Sequence, residues 1–207
     1  MLNELINRRP ALSECKGDIE SALEIIVKCY ERGGKLLLCG NGGSAADCEH
    51  IVGELMKGFL LKRPLSEEMK ANMRERYDGT DEAMLSKLQC GLPAISLPSI
   101  AGFNTAFCND VDPELVYAQG VLALAEERDL LVAISTSGNA KNVLRAAEIA
   151  KGLGVTVLGM TGKTGGQLAS VSDVCIKVPE TETYKIQEAH ISVYHYLCAA
   201  VEKHFFS

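Results

Sequence analysis

Five aliphatic runs, at 35–39, 93–97, 130–135, 155–160 and 174–178, recur along the chain with stretches of helical apolar spacing between them. Aliphatic runs this short suit strands covered on both faces, and parallel neighbours need long crossovers that helices supply with right-handed winding. The alternation predicts an α/β fold, one doubly wound five-stranded parallel sheet with helices on both faces. At 207 residues the chain sits at the upper end of one ordinary domain, so 1–207 is read as a single unit.

The helical stretches have recognisable ends. In 10–32, Ile19, Leu23, Ile26, Val27 and Tyr30 recur at helical spacing before Gly33-Gly34 stops an N-terminal helical segment, 1–33. The turn Gly40-Asn41-Gly42-Gly43-Ser44 leads into a helix at 45–59 with Ser44 as its expected N-cap. Further helices are expected at 113–127 and 140–153, and a closing one at 183–206. Between 60 and 91 the composition turns charged, as in Glu67-Glu68-Met69-Lys70 and Arg74-Glu75-Arg76. That segment reads as an insertion with short helices at 66–77 and 81–88. A solvated excursion is the plainer reading, and a lid over a substrate is the alternative.

Charge and composition exclude several roles. A net charge of −6 without a basic stripe argues against nucleic acid or an anionic membrane surface as partner. The eight cysteines include no Cys-x-x-Cys pair and several lie in apolar runs, which suits free buried thiols. The first residues lack a signal-peptide core and no apolar run approaches the roughly 18 residues of a membrane helix, so a cytoplasmic protein is expected.

Two turns that follow strands carry the first chemical signal, Asn41-Gly42-Gly43-Ser44 and Ser135-Thr136-Ser137-Gly138-Asn139. In an open parallel sheet ligands gather at the carboxyl ends of strands, where helix N-termini offer unpaired N–H groups to an anion. Three consecutive hydroxyls in the second turn suit a phosphomonoester. The first turn lacks the lysine of a P-loop and the spacing of a dinucleotide fingerprint.

The second signal is histidine. Three of the four histidines fall in two polar clusters on helical stretches, His50-Ile51-Val52-Gly53-Glu54 and Gln187-Glu188-Ala189-His190 with His195. Four residues apart, His50 and Glu54 project from one helix face and can offer a nitrogen and an oxygen to one ion. Gln187 and His195 are eight apart, roughly 12 Å of helical rise, and share a face only loosely. Spacing alone favours the plainer reading, an exposed helix pair for His50 and Glu54 and a hydrogen-bonded core histidine for His195. His190 is turned about 140° from His195 around the helix, which favours a structural role.

In combination these stretches resemble the sugar isomerase (SIS) family and, within it, the phosphoheptose isomerases. The matching pieces are Cys39-Gly40-Asn41-Gly42-Gly43-Ser44, Asp47, His50-x-x-x-Glu54, Asn109-Asp110, Ile134-Ser135-Thr136-Ser137-Gly138-Asn139, Thr161-Gly162-Lys163-Thr164-Gly165-Gly166, Ile186-Gln187-Glu188-x-His190 and His195, in family order. The resemblance implies a flavodoxin-like SIS fold and an aldose–ketose isomerase of a phosphorylated sugar, sedoheptulose 7-phosphate first. It implies Glu54 as base and His195 as acid, with zinc held by His50, Glu54, Gln187 and His195. It also implies that Asn41, Gly42, Gly43, Ser44, Asn109, Asp110, Ser135, Thr136, Ser137, Asn139 and Gln187 bind substrate, in a homotetramer with sites between subunits. Tyr184, Lys57-Gly58 and Ala140 depart from the family pattern around the sugar pocket. Isomerisation of another sugar phosphate is one alternative. A non-catalytic phosphosugar-binding or replication-initiator adaptor is another, although adaptor relatives lack the residues matching Glu54 and His195.

Overall fold

Leu36, Leu38, Leu130, Val132, Ile134, Leu158 and Met160 turn to one face of a sheet and Leu37, Cys39, Leu131, Ala133 and Val157 to the other, each set joining its own apolar cluster. This two-residue alternation within wholly buried strands means that both faces are covered, as the aliphatic runs predict. The computed structural model describes residues 1–207. In chain order its elements are α1 (Leu2–Arg8), a 3₁₀ turn, α2 (Lys16–Glu31), β1 (Leu36–Cys39), α3 (Gly43–Met56), α4 (Glu67–Arg76) and α5 (Glu82–Leu85). Then follow β2 (Ala94–Ser96), α6 (Ala101–Asp110), α7 (Val116–Leu124), β3 (Leu130–Ile134), α8 (Lys141–Gly152), β4 (Thr156–Thr161), α9 (Leu168–Val171), β5 (Val174–Lys177) and α10 (Thr183–Phe206).

The sheet has the order β2-β1-β3-β4-β5 and every pairing is parallel, with Leu36 opposite both Ala94 and Leu130. Helices α2, α3 and α10 supply the cluster on one face, and α7, α8 and α9 that on the other. The winding reverses between β1 and β3, the place where ligands collect in flavodoxin-like sheets.

Local expectations are corrected in three places. The leading helix is not one element over 10–32: α1 precedes it, and Pro10 opens a 3₁₀ turn that ends at Cys15. Ser44 lies inside the first turn of α3, whose N-cap is Gly42 without a side-chain bond, because glycine alone readily takes the backbone φ of +55° found there. Helix α6 has no counterpart in the sequence reading: its apolar stripe is only Phe103, Phe107 and Cys108, which pack half-buried on the edge of the second cluster. All eight cysteines are free, five of them buried.

The insertion is tethered at its neck. Arg63, 2% exposed, donates to Glu202 at 2.8 Å, to the Leu55 carbonyl at 2.7 Å and to the Glu54 carbonyl at 3.2 Å. Glu202 in turn accepts from the N–H groups of Phe59, Leu60 and Leu61. The C-terminal end of α3 and the start of the insertion are thereby bolted to α10.

His190 is fully buried on α10 and donates Nε2–H to the Thr161 carbonyl at 3.2 Å, while its Nδ1 has no partner. Burial pushes its pKa down to about 4, against the pull of that carbonyl. The unfolded chain takes up this proton near 6.5 and the folded chain only near 4, so the unfolded state binds more protons as pH falls between these values. Stability present above 6.5 should drop by up to about 3 kcal/mol by pH 4. Urea midpoints across that window should fall less steeply in His190→Gln than in the native chain.

Candidate active site

At the β1/β3 junction the chain passes through Asn41 and Gly42 into α3, and through Ser135–Asn139 into α8. A cleft of ≈ 350 Å³ opens there, lined by Asn41, Gly42, Gly43, Ser44, Ser135, Thr136 and Ser137, with Thr183 and Gln187 reaching in from the first turns of α10. The first residues of α3 border it; the N–H groups of Ser44, Ala45 and Ala46 already bond the Asn41 and Gly42 carbonyls, so what this helix start offers an anion is chiefly its positive dipole end. No lysine or arginine lines it, so its polar lining consists of amides and hydroxyls.

The turns are braced against each other. Asn41 and Asn142 exchange amide hydrogen bonds of 2.8 and 3.0 Å, and the Tyr117 hydroxyl donates to the Gly40 carbonyl at 2.8 Å. Asn139 faces away from the cleft lining: it accepts from Gln167 N–H at 3.1 Å and donates to the Ser137 carbonyl at 3.0 Å. Gly138 has φ +68°, and a Cβ there would lie 2.0 Å from the Gly165 carbonyl oxygen. Gly138→Ala should therefore cost about 1–3 kcal/mol in urea unfolding and raise KM for a phosphorylated substrate as the turn shifts.

The histidine clusters meet where α10 crosses α3. His50 Nε2 lies 3.3 Å from Glu54 Oε1 and 3.4 Å from His195 Nε2. Lys57 Nζ sits 3.1 Å from the other Glu54 oxygen. Burial, and then the neighbouring His50, push the His195 imidazole below its ordinary pKa, while Glu54 pulls the other way. Behind this group the Tyr194 hydroxyl stands between Asp47 Oδ1 at 3.2 Å and His50 Nδ1 at 2.9 Å. Burial raises the Asp47 carboxyl above its usual range, opposed by the Tyr194 hydrogen bond and by His50.

Glu54, His50 and His195 are thus brought together from distant segments, and Ser44, Ser135, Thr136, Ser137 and Gln187 share the neighbouring cleft. Gln187 packs against Gly43, where an added Cβ would come within 2.3 Å of its Nε2. His195 also borders a second hollow of ≈ 300 Å³ with Arg8, Phe59 and Leu60. Asn109 and Asp110 lie at the exposed end of α6, bonded to each other at 2.8 Å, and line neither space. Tyr194, Asn142, Tyr117 and the Lys57 contact were not singled out from the sequence. Asp47 was quoted only as a motif match; its place three residues before His50, on the same helix face, was the signal for a role.

Two imidazoles and a carboxylate are a donor set that catalytic zinc uses, with bonds of about 2.0–2.1 Å that place neighbouring donors roughly 3.3 Å apart. The two separations from His50 Nε2 match that spacing, but no group of three or more His, Cys, Asp or Glu side chains is placed to hold an ion.

Two family profiles, each described as a SIS domain, match residues 8–89 and 105–202. A phosphoheptose isomerase of Aneurinibacillus thermoaerophilus is 38% identical over 188 residues, covering 91% of this chain and 82% of the relative. One from Helicobacter pylori (strain P12) is 36% identical over 197 residues, covering 95% and 89%. Among solved structures, phosphoheptose isomerase GmhA from Neisseria gonorrhoeae superposes with a TM-score of 0.76 at 31% identity, over 97% of this chain and 94% of that one. A phosphoheptose isomerase from Francisella tularensis gives the same TM-score and coverage at 29% identity.

Proposed function

The chain belongs to the phosphoheptose isomerase family of SIS-domain proteins, and on that footing we propose that it interconverts sedoheptulose 7-phosphate and D-glycero-D-manno-heptose 7-phosphate. The single observation that carries this reading is the convergence of Glu54 and His195 on His50 Nε2, within 3.3 and 3.4 Å, beside an anion cleft without cationic side chains. Asn41, Ser44, Ser135, Thr136 and Ser137 hold the phosphate and its end of the sugar. Glu54 takes the proton from the carbon next to the carbonyl and returns it to the neighbouring carbon after the enediol forms. His195 gives a proton to the carbonyl oxygen as it becomes a hydroxyl, and recovers one from the hydroxyl that becomes the new carbonyl. A zinc ion held by His50, Glu54, Gln187 and His195 is the cofactor the family resemblance implies, and its chemistry there would be polarisation of the substrate oxygens; in this structure Gln187 rests against Gly43.

Assembly as a homotetramer and work in the cytoplasm complete the reading. The position of Asn109 and Asp110 at the exposed end of α6, away from both hollows, supports a site finished by a second subunit. No helix is long and apolar enough to cross a membrane. Incubation with sedoheptulose 7-phosphate, with and without added zinc, should yield the aldose product. Preference for a different ketose phosphate would correct the substrate, and no isomerisation of any phosphosugar would refute the reading. Sedimentation mass decides the assembly.

A further inference from the structure

Asp47, Tyr194 and His50 form a file of hydrogen bonds that ends at the converging donors. Asp47 and Tyr194 are 7% and 2% exposed, so neither bond is readily exchanged for water. A carboxylate only accepts, which commits the Tyr194 proton to Asp47 Oδ1. The hydroxyl oxygen can then only accept from His50, so Nδ1 must carry the imidazole hydrogen. We propose that Asp47 and Tyr194 are positioning residues that hold His50 as its Nδ1–H tautomer and so present the Nε2 lone pair to the space it shares with Glu54 and His195.

The opposite tautomer is disfavoured on two counts. It would set the Nδ1 lone pair against the Tyr194 oxygen, or turn the hydroxyl away from Asp47 and strip that buried carboxylate of its side-chain donor. Asp47 Oδ2 already lacks one. The ring is further wedged edge-on against Tyr194, with centroids 5.4 Å apart, which limits its rotation. With Nε2 unprotonated, an electron pair faces the Glu54 carboxylate at 3.3 Å, an arrangement completed by a cation. Hydrogen-bonded partners behind a ligating imidazole set its tautomer and raise its affinity for metal. That consequence rests on the proposed function, whereas the tautomer itself does not.

The test is ¹⁵N NMR of the histidine-labelled full chain without metal, above the imidazole titration range, with His50 assigned by its loss in His50→Gln. Two-bond couplings should show Nδ1–H at His50 in the native protein. Tyr194→Phe keeps the ring and removes only the hydroxyl; it should shift His50 toward Nε2–H and weaken zinc binding, measured by chelator competition, by roughly 10–100-fold. Asp47→Ala should act likewise and Asp47→Asn less, because its amide oxygen still accepts. Native His50 found as Nε2–H, or Tyr194→Phe with native tautomer and native zinc affinity, would overturn the proposal. Should Tyr194→Phe fail to fold, the native spectrum decides alone. An intact tautomer in a protein inactive on every phosphosugar would count against the proposed function and leave this inference standing.

Discussion

Glu54→Gln should reduce turnover of sedoheptulose 7-phosphate by about 10²–10⁴-fold or more while the protein still folds and still binds phosphosugar. Glutamine keeps the size of the side chain but offers no base to the carbon-bound proton. The carboxylate lies on the face where His50 and His195 converge, and only 14% of its side chain is exposed. Its remaining partner is the exposed Lys57, whose loss at the surface contributes little to stability. Initial rates should therefore collapse at an unchanged unfolding midpoint. Native-like turnover in this variant would remove Glu54 from the mechanism, whatever the family membership.

The second large effect is on stability. Arg63→Ala should cost about 3–5 kcal/mol in urea unfolding, because it leaves the Glu202 carboxylate buried without its cation. Both side chains of this pair are essentially inaccessible, at 0% and 1% exposure. The loss extends beyond the pair, since the same guanidinium caps the carbonyls of Glu54 and Leu55 and lies 4.6 Å from the centre of the Phe206 ring. The end of α3 that carries Glu54 should fray, so the variant should also lose turnover. Acid should reveal the same element in the native chain. Burial pushes the Glu202 carboxyl up, but the N–H groups of Phe59 and Leu60 and the Arg63 guanidinium more than reverse this, and its pKa lies below the usual range. Its stabilisation is therefore present above the unfolded carboxylate pKa and is lost as pH falls through the lower folded value. An Arg63→Ala protein as stable as the native one would show that the neck of the insertion is held by other contacts.

Much of this architecture was legible because it is written in local periodicity. Five aliphatic runs became five parallel strands, and the glycine and hydroxyl turns fell at the β1/β3 junction. Exceptions have local causes: α6 has only the short, half-buried stripe of Phe103, Phe107 and Cys108, and Gly42 rather than Ser44 caps α3 because of its positive φ. The insertion read as a solvated excursion; its helix α4 buries no residue, but Leu65 and Leu85 within the same segment are buried. Its anchor did not show, because Arg63 sits in a charged stretch where an arginine is expected to be solvated.

Residue type and spacing alone determined the doubly wound sheet, the glycine and hydroxyl turns at its carboxyl edge and the pairing of His50 with Glu54 on one helical face. These depend on contacts within a few residues, whose geometry is set by 1.5 Å of helical rise or the two-residue repeat of a strand. Only the tertiary structure decided that α10 crosses α3 so that His195 meets His50, that Gln187 lies against Gly43, and that Tyr194 joins Asp47 to His50. The physical reason is that the crossing of two helices is set by how their apolar faces pack on the shared sheet. A hydroxyl buried in such a crossing carries no mark in the sequence that separates it from an ordinary core tyrosine.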